Sequence, residues 1–205
     1  MKIKTTLFAG VLTILLAGCS SDSVEVVDLN RVLDVMADTL DQTQAKMGSE
    51  FEGNSEDPVV RQEYMEQFNV LYAENLNAAK LMSTPVGTSV QSDGSISGFN
   101  DPNQNMTMDG SERQIFIVEI DAERNRLIAT DTQNGYHRDH GFSMAGLAAG
   151  MLIGHLLSRQ RAAGITGSRF SNMTMSPKNY HSSAVQSAKS SARAKAGSGS
   201  FSQGK

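Results

Sequence analysis

The most chemically loaded stretch of this 205-residue chain runs from Asp101 to Glu112. Asp101, Asn103, Asn105, Asp109 and Glu112 place side-chain oxygens at positions 1, 3, 5, 9 and 12 of a twelve-residue loop. Calcium is a hard cation that takes six to eight oxygens, and a loop of that length can wrap them around it. Glu112 can bind through both oxygens, and Thr107 can add its backbone carbonyl. Without a cation, the same residues would serve as an Asx-rich surface loop that uses its side chains for local turns. A second cluster, Tyr136-His-Arg-Asp-His140, packs His137, Asp139 and His140 together, and a transition metal could use His-x-x-His. On a loop that spacing is weak, and polar residues at a membrane-proximal junction are the simpler account. The single cysteine, Cys19, excludes an internal disulfide framework and any multi-thiolate metal site. No nucleophile stands beside a motif of known mechanics.

The loop resembles an EF-hand-type calcium loop, or the D-x-N-x-N variant found between strands of extracellular proteins. In such loops position 7 supplies a carbonyl and position 8 is apolar, as Thr107 and Met108 allow. Two residues depart from the pattern. Pro102 is unusual, and Met106 holds position 6, where glycine normally permits a sharp turn. Met106 must then take a strained conformation or another path. Only three of the five side-chain ligands are acidic, so calcium affinity is expected at the weak, extracellular end of the range.

These residues need elements to position them. Asp28 can cap a helix starting at Leu29, and Leu29, Val32, Leu33, Met36, Leu40, Thr43 and Met47 form an apolar stripe ending near Gly48. After a polar link, Asp57-Pro58 starts a second helix, with Val60, Tyr64, Phe68, Leu71, Tyr72 and Ala79 on its buried face and Pro85 as its stop. The aromatic row reads as core. Asp93-Gly94, flanked by alternating segments, signals a hairpin, and Gln114–Ile120 is the strongest strand, with Leu127–Thr130 returning beside it. The expectation is an α+β body over residues 28–140: an antiparallel helix hairpin, then a small antiparallel sheet of about four strands.

The two ends of the chain differ from that body. Lys2 and Lys4 precede an apolar run, Leu7–Leu16, of secretory length. Leu16-Ala17-Gly18-Cys19 then resembles the lipobox of bacterial lipoproteins. That resemblance implies a signal peptide over 1–18, diacylglycerol on Cys19, acylation of the new N-terminus and a short tether over 19–27. Several acyl chains anchor stably where one would not. Ser20 after the cysteine implies the outer membrane by analogy with such lipoproteins.

Charge is split along the chain. Residues 19–140 hold 22 acids and 8 bases, a net of −14, whereas residues 141–205 hold 8 bases and no acid. Within 141–163, Gly146, Gly150 and Gly154 recur at intervals of four and resemble the glycine-zipper segments of envelope lipoproteins. On a helix they would form a bare strip for close packing, in a membrane or in an oligomer. Residues 164–205 are Ser-rich and basic and are expected to be disordered, with charge suited to anionic lipids or envelope polymers. Nucleic acid is not an expected partner. The leading expectation is a non-enzymatic, lipid-anchored envelope protein with a structural or partner-binding role and a calcium-ordered loop. The alternative is a metal-dependent periplasmic enzyme using His137, Asp139 and His140.

Overall fold

A computed structural model describes residues 25–52, 57–142 and 151–197. Cys19 and the apolar run before it, together with Gly146 and Gly150, lie outside the described residues. Helix α1 (Leu29–Glu52) and helix α2 (Pro58–Ala78) pack against each other. Asp28 caps the first, its Oδ1 accepting the Arg31 amide at 3.4 Å. Asp57 caps the second, accepting the Val59 amide at 2.8 Å, with Pro58 in the first turn. Helix α1 continues past Gly48 to Glu52. A single glycine inside a long helix costs about 1 kcal/mol and does not stop it.

Five strands follow as a simple antiparallel meander: β1 (Val86–Val90), β2 (Ile96–Asn100), β3 (Gln114–Asp121), β4 (Arg126–Asp131) and β5 (His137–Gly141). The α+β expectation therefore holds, with one strand more than read from the sequence. Strand β5 contains the histidine cluster, which sequence reading left in a loop. The signal for it was Asn134-Gly135, a hairpin turn dipeptide. Gly135 has φ +70°, and the turn is fastened by Asp131, whose Oδ1 accepts the Gln133 and Asn134 amides at 2.9 and 2.8 Å.

The main core lies between the helices and one face of the sheet. Leu29, Val32, Leu33 and Met36 of α1 meet Phe68, Tyr72 and Leu76 of α2 and Phe116, Val118, Leu127 and Ala129 of the sheet. The aromatic row is core as expected: Phe68 and Tyr72 stack at 5.7 Å, and the buried Tyr72 hydroxyl donates to the Val32 carbonyl at 3.1 Å. Strand alternation turns Ile128 away from this cluster, where it meets Ile165 and Phe170.

Those last two residues belong to the segment expected to be disordered. Instead, after helix α3 (Met151–Ala162), it forms helix α4 (Gly167–Ser171) and helix α5 (Tyr180–Gly197). A Ser-rich composition suggested little to bury, yet Ile165, Phe170 and Tyr180 are spaced so that each reaches the body. Tyr180, 5% exposed, donates its hydroxyl to the Val27 carbonyl and accepts the Leu29 amide at 2.5 Å. Ser176 pairs with edge strand β5, its amide donating to the His137 carbonyl at 2.8 Å. Sparse apolar residues thus suffice once each one lands in a prepared site.

A candidate cation loop between two strands

The loop from Asp101 to Arg113 joins β2 to β3. Its neck is closed by the Asn100 amide on the Arg113 carbonyl at 3.1 Å. Asp101 is 1% exposed, and its amide donates to the Pro85 carbonyl at 2.8 Å. Gly87 on β1 makes room for it: a Cβ there would stand 3.0 Å from Asp101 Oδ2 and 2.5 Å from the Phe99 ring.

From this fixed base the side-chain oxygens turn inward on their own backbone. Asp101 Oδ1 accepts the Asn105 amide at 3.1 Å, and its Oδ2 accepts the Met106 amide at 2.9 Å. Asn103 Oδ1 also accepts the Asn105 amide at 3.1 Å, and Asn105 Oδ1 accepts the Thr107 amide at 2.8 Å. The path is the tight one, because Gln104 and Met106 adopt φ of 56° and 59°. Met106 therefore takes the left-handed conformation that glycine would adopt freely, at a cost of about 1–2 kcal/mol. Asp109 Oδ2 gathers the Asn103 and Asn105 amide groups at 2.9 and 3.1 Å. Asp109 and Glu112 close the far side reciprocally: the Asp109 amide donates to Glu112 Oε2 and the Glu112 amide to the Asp109 carbonyl, both at 2.9 Å.

Two atoms of the loop and its neck are left over. Glu112 is 8% exposed, and its second oxygen, Oε1, is buried with no hydrogen-bond partner. Asn100 Oδ1, at the neck, is in the same condition. Asn100 was not singled out in the sequence, although it directly precedes Asp101. Burying an acceptor without a donor is costly, and more so when it carries charge. Both orphans are acceptors, so the chemistry they lack is a donor or a cation. Among the described residues no three His, Cys, Asp or Glu side chains form a metal-holding group on their own. The loop's oxygens are instead a mixture of carboxylate, amide and carbonyl, the donor set that hard cations such as calcium take.

The chain finds no match among protein-family models, curated proteins or solved structures.

The histidine cluster is split by its strand. Successive side chains of β5 point to opposite faces. Arg138 and His140 turn toward α1, with Arg138 Nε donating to Asn30 at 2.8 Å and His140 Nδ1 lying 3.5 Å from Asp34. His137 and Asp139 turn the other way, His137 Nδ1 to the Thr130 hydroxyl at 3.0 Å and Asp139 to Arg126 at 2.9 Å. His137 and His140 therefore do not share a metal.

Of the three spaced glycines, Gly154 alone is described, and it lies on the exposed side of α3 with open space where a Cβ would go. Helix α3 packs through Leu152, Ile153, Leu156 and Leu157. The close backbone approach here belongs to a different glycine: Gly94, in the β1–β2 turn, lies so near α3 that a Cβ would meet the Leu156 carbonyl at 2.3 Å. Among the described residues no helix is long and apolar enough to cross a membrane.

Proposed function

We propose that the chain is a non-enzymatic envelope protein, anchored by lipid at Cys19, whose acidic body presents a calcium-ordered loop to a partner. The observation that carries the calcium reading is the buried, unpartnered Oε1 of Glu112 at the closing position of the loop. Asp101, Asn103, Asn105, Asp109, Glu112 and the Thr107 carbonyl would hold the ion, and Asn100 Oδ1 is a further donor. The ion would neutralise clustered carboxylates and stiffen the β2–β3 connection. The anchor reading rests on the lipobox residues Leu16-Ala17-Gly18-Cys19 and the uniqueness of the thiol. Five residues lie between Cys19 and Glu25, where the described chain begins, so even fully extended they would span at most about 22 Å between anchor and body. The exposed face of α3 around Gly154 is free for helix packing with a second copy or another envelope component. The enzyme reading is the weaker one, because β5 sends His137 and His140 to opposite faces.

Calorimetric titration of the full chain with calcium tests the loop. Heat and a rising Tm are expected at millimolar calcium; at tenfold above Kd the native state gains about 1.4 kcal/mol. Glu112→Gln should remove most of that gain, and Met106→Gly should raise Tm with or without calcium, because the left-handed strain is already present in the free loop. No heat and no thermal shift would leave an Asx-rich turn only. The anchor is tested separately: fatty-acid labelling is expected on the wild-type chain and absent from Cys19→Ser, and an unlabelled wild type would overturn it.

A further inference from the structure

A second site lies away from the loop, where the first turns of α2 meet the end of β1 and helix α3. A cleft of about 570 Å³ is lined there by Arg61, Gln62, Met65, His155 and Arg159 among others. That is within the size range of small-molecule sites and larger than a bare ion requires.

The charge arrangement is the informative part. Helix α2 carries several carboxylates and one base, Arg61. Helix α3 comes from the basic part of the chain and could have set its charges against those acids. Elsewhere the fold does that: Arg169 of α4 pairs with Glu119 at 2.9 Å. Here Arg159 and His155 of α3 instead share a cleft with Arg61 of α2. Among the described residues no salt bridge joins Arg61 or Arg159 to a carboxylate. Three other charged groups are nearby. Asp93, in the turn whose Gly94 packs on α3, accepts the Ser95 amide at 2.9 Å and its hydroxyl at 2.6 Å. Glu66 lines the cleft and accepts the Gln62 amide group at 2.9 Å, and Asp57 is occupied in capping α2 beside Pro58. Strand β1 contributes only the uncharged Ser89 and Val90.

We infer that this cleft binds a phosphate group borne on a larger organic molecule, with Arg61 and Arg159 as a two-sided clamp and His155 lining the same cleft. Guanidinium forks match phosphate oxygens in pairs, and two from separate helices can hold one dianion. Met65 and Val90 give the organic part an apolar wall. The surroundings of His155 agree with this. Burial first, and then the charges of Arg159 and Arg61, hold its pKa below the ordinary histidine value. A bound phosphate would offset both repulsions and draw a proton onto the ring. Phosphate binding should therefore raise the His155 pKa.

The test is the titration of His155 in the full chain carrying Cys19→Ser, followed by NMR and assigned by the signal lost in His155→Gln. Inorganic phosphate and glucose 6-phosphate, to the order of 10 mM, should raise its pKa by about one unit. Arg61→Gln should weaken that response roughly tenfold. In phosphate-free buffer the same variant should itself raise the His155 pKa, because a repelling charge is gone. Vesicles of phosphatidylcholine with and without phosphatidic acid identify the source. A response to phosphatidic acid alone assigns a lipid headgroup, and a response to the sugar phosphate assigns a soluble ligand. An unmoved His155 pKa with every phosphate probe would overturn the inference, and an equal response to acetate would overturn the phosphate assignment. Calcium binding at the distant loop does not enter this readout, so the two proposals fail independently.

Discussion

Tyr180→Phe isolates the interaction that fastens the C-terminal segment to the start of α1. The ring stays: it is buried and lies 4.7 Å from the Tyr136 ring, and phenylalanine fills the same volume. What is lost is one hydroxyl that donates to the Val27 carbonyl and accepts the Leu29 amide. The Leu29 amide also reaches the Val27 carbonyl at 3.1 Å, so it keeps part of its satisfaction. The cost is then that of a buried hydrogen-bonding group left partly unpaired, about 2 kcal/mol within a range of 1–3. For a chain of this size each kcal/mol lowers Tm by about 2–4 °C, so calorimetry should show a fall of about 4–8 °C. Amide exchange in the first turn of α1 should accelerate, and the segment after Met173 should become more sensitive to protease. A Tm within about 1 °C of wild type, with exchange in that first turn unchanged, would refute the assignment of Tyr180 as the fastening point.

Three further outcomes follow from groups already described. Gly94→Ala places a side chain at φ +79° and 2.3 Å from the Leu156 carbonyl, so urea unfolding should show a loss of about 2–5 kcal/mol from combined backbone strain and overpacking. Gly154→Ala, with open space at its Cβ, should be neutral or gain up to about 1 kcal/mol in the same assay. Glu119 is buried, and burial raises its pKa above 4.5 despite Arg169, with Asp93 adding to the rise. The sign follows from linkage: the folded state holds this proton more tightly, so the associated stability is fully present below the unfolded pKa and is lost as pH rises through the folded one. Denaturation midpoints across that window should fall with pH in the wild type and not in Glu119→Gln, and parallel profiles would contradict the burial argument.

The helices and the first four strands were legible because their signals are local. Asp28 and Asp57 announce helix starts, Asp93-Gly94 announces a turn, and Gln114–Ile120 alternates at period two. Strand β5 was harder to read because Tyr136–His140 is polar and its alternation is written in Arg138, His140 and Asp139 rather than in apolar residues. It becomes a strand by pairing with β4, a contact made at the level of the sheet. The C-terminal helices were hidden for a related reason. Ile165, Phe170 and Tyr180 are isolated in a Ser-rich background, and no window around them has enough apolar residues to suggest burial. For the cation loop, the spacing of its oxygens was readable, and so was the conflict at Met106. The left-handed resolution of that conflict and the buried, unpartnered Glu112 Oε1 and Asn100 Oδ1 depend on the neck between β2 and β3. The cleft of Arg61, His155 and Arg159 joins residues about a hundred positions apart and had no signal in the sequence.

The way the chain enters the body also determines how it would bear a load. In the proposed lipid-anchored chain, a pull that reaches residues 25–27 would divide at once. Glu25 passes it to Ser83 through the amide at 3.1 Å and the hydroxyl at 2.8 Å. The Val27 amide passes it to Asp131 on β4 at 3.3 Å, and the Val27 carbonyl passes it to Tyr180. Helix α1, the next element in the chain, therefore lies behind these fastenings and is not the first thing to peel. Pulling on the anchor would shear the α2–β1 connection, the end of β4 and the base of α5 together, so the body resists detachment through parallel bonds rather than bonds broken in series.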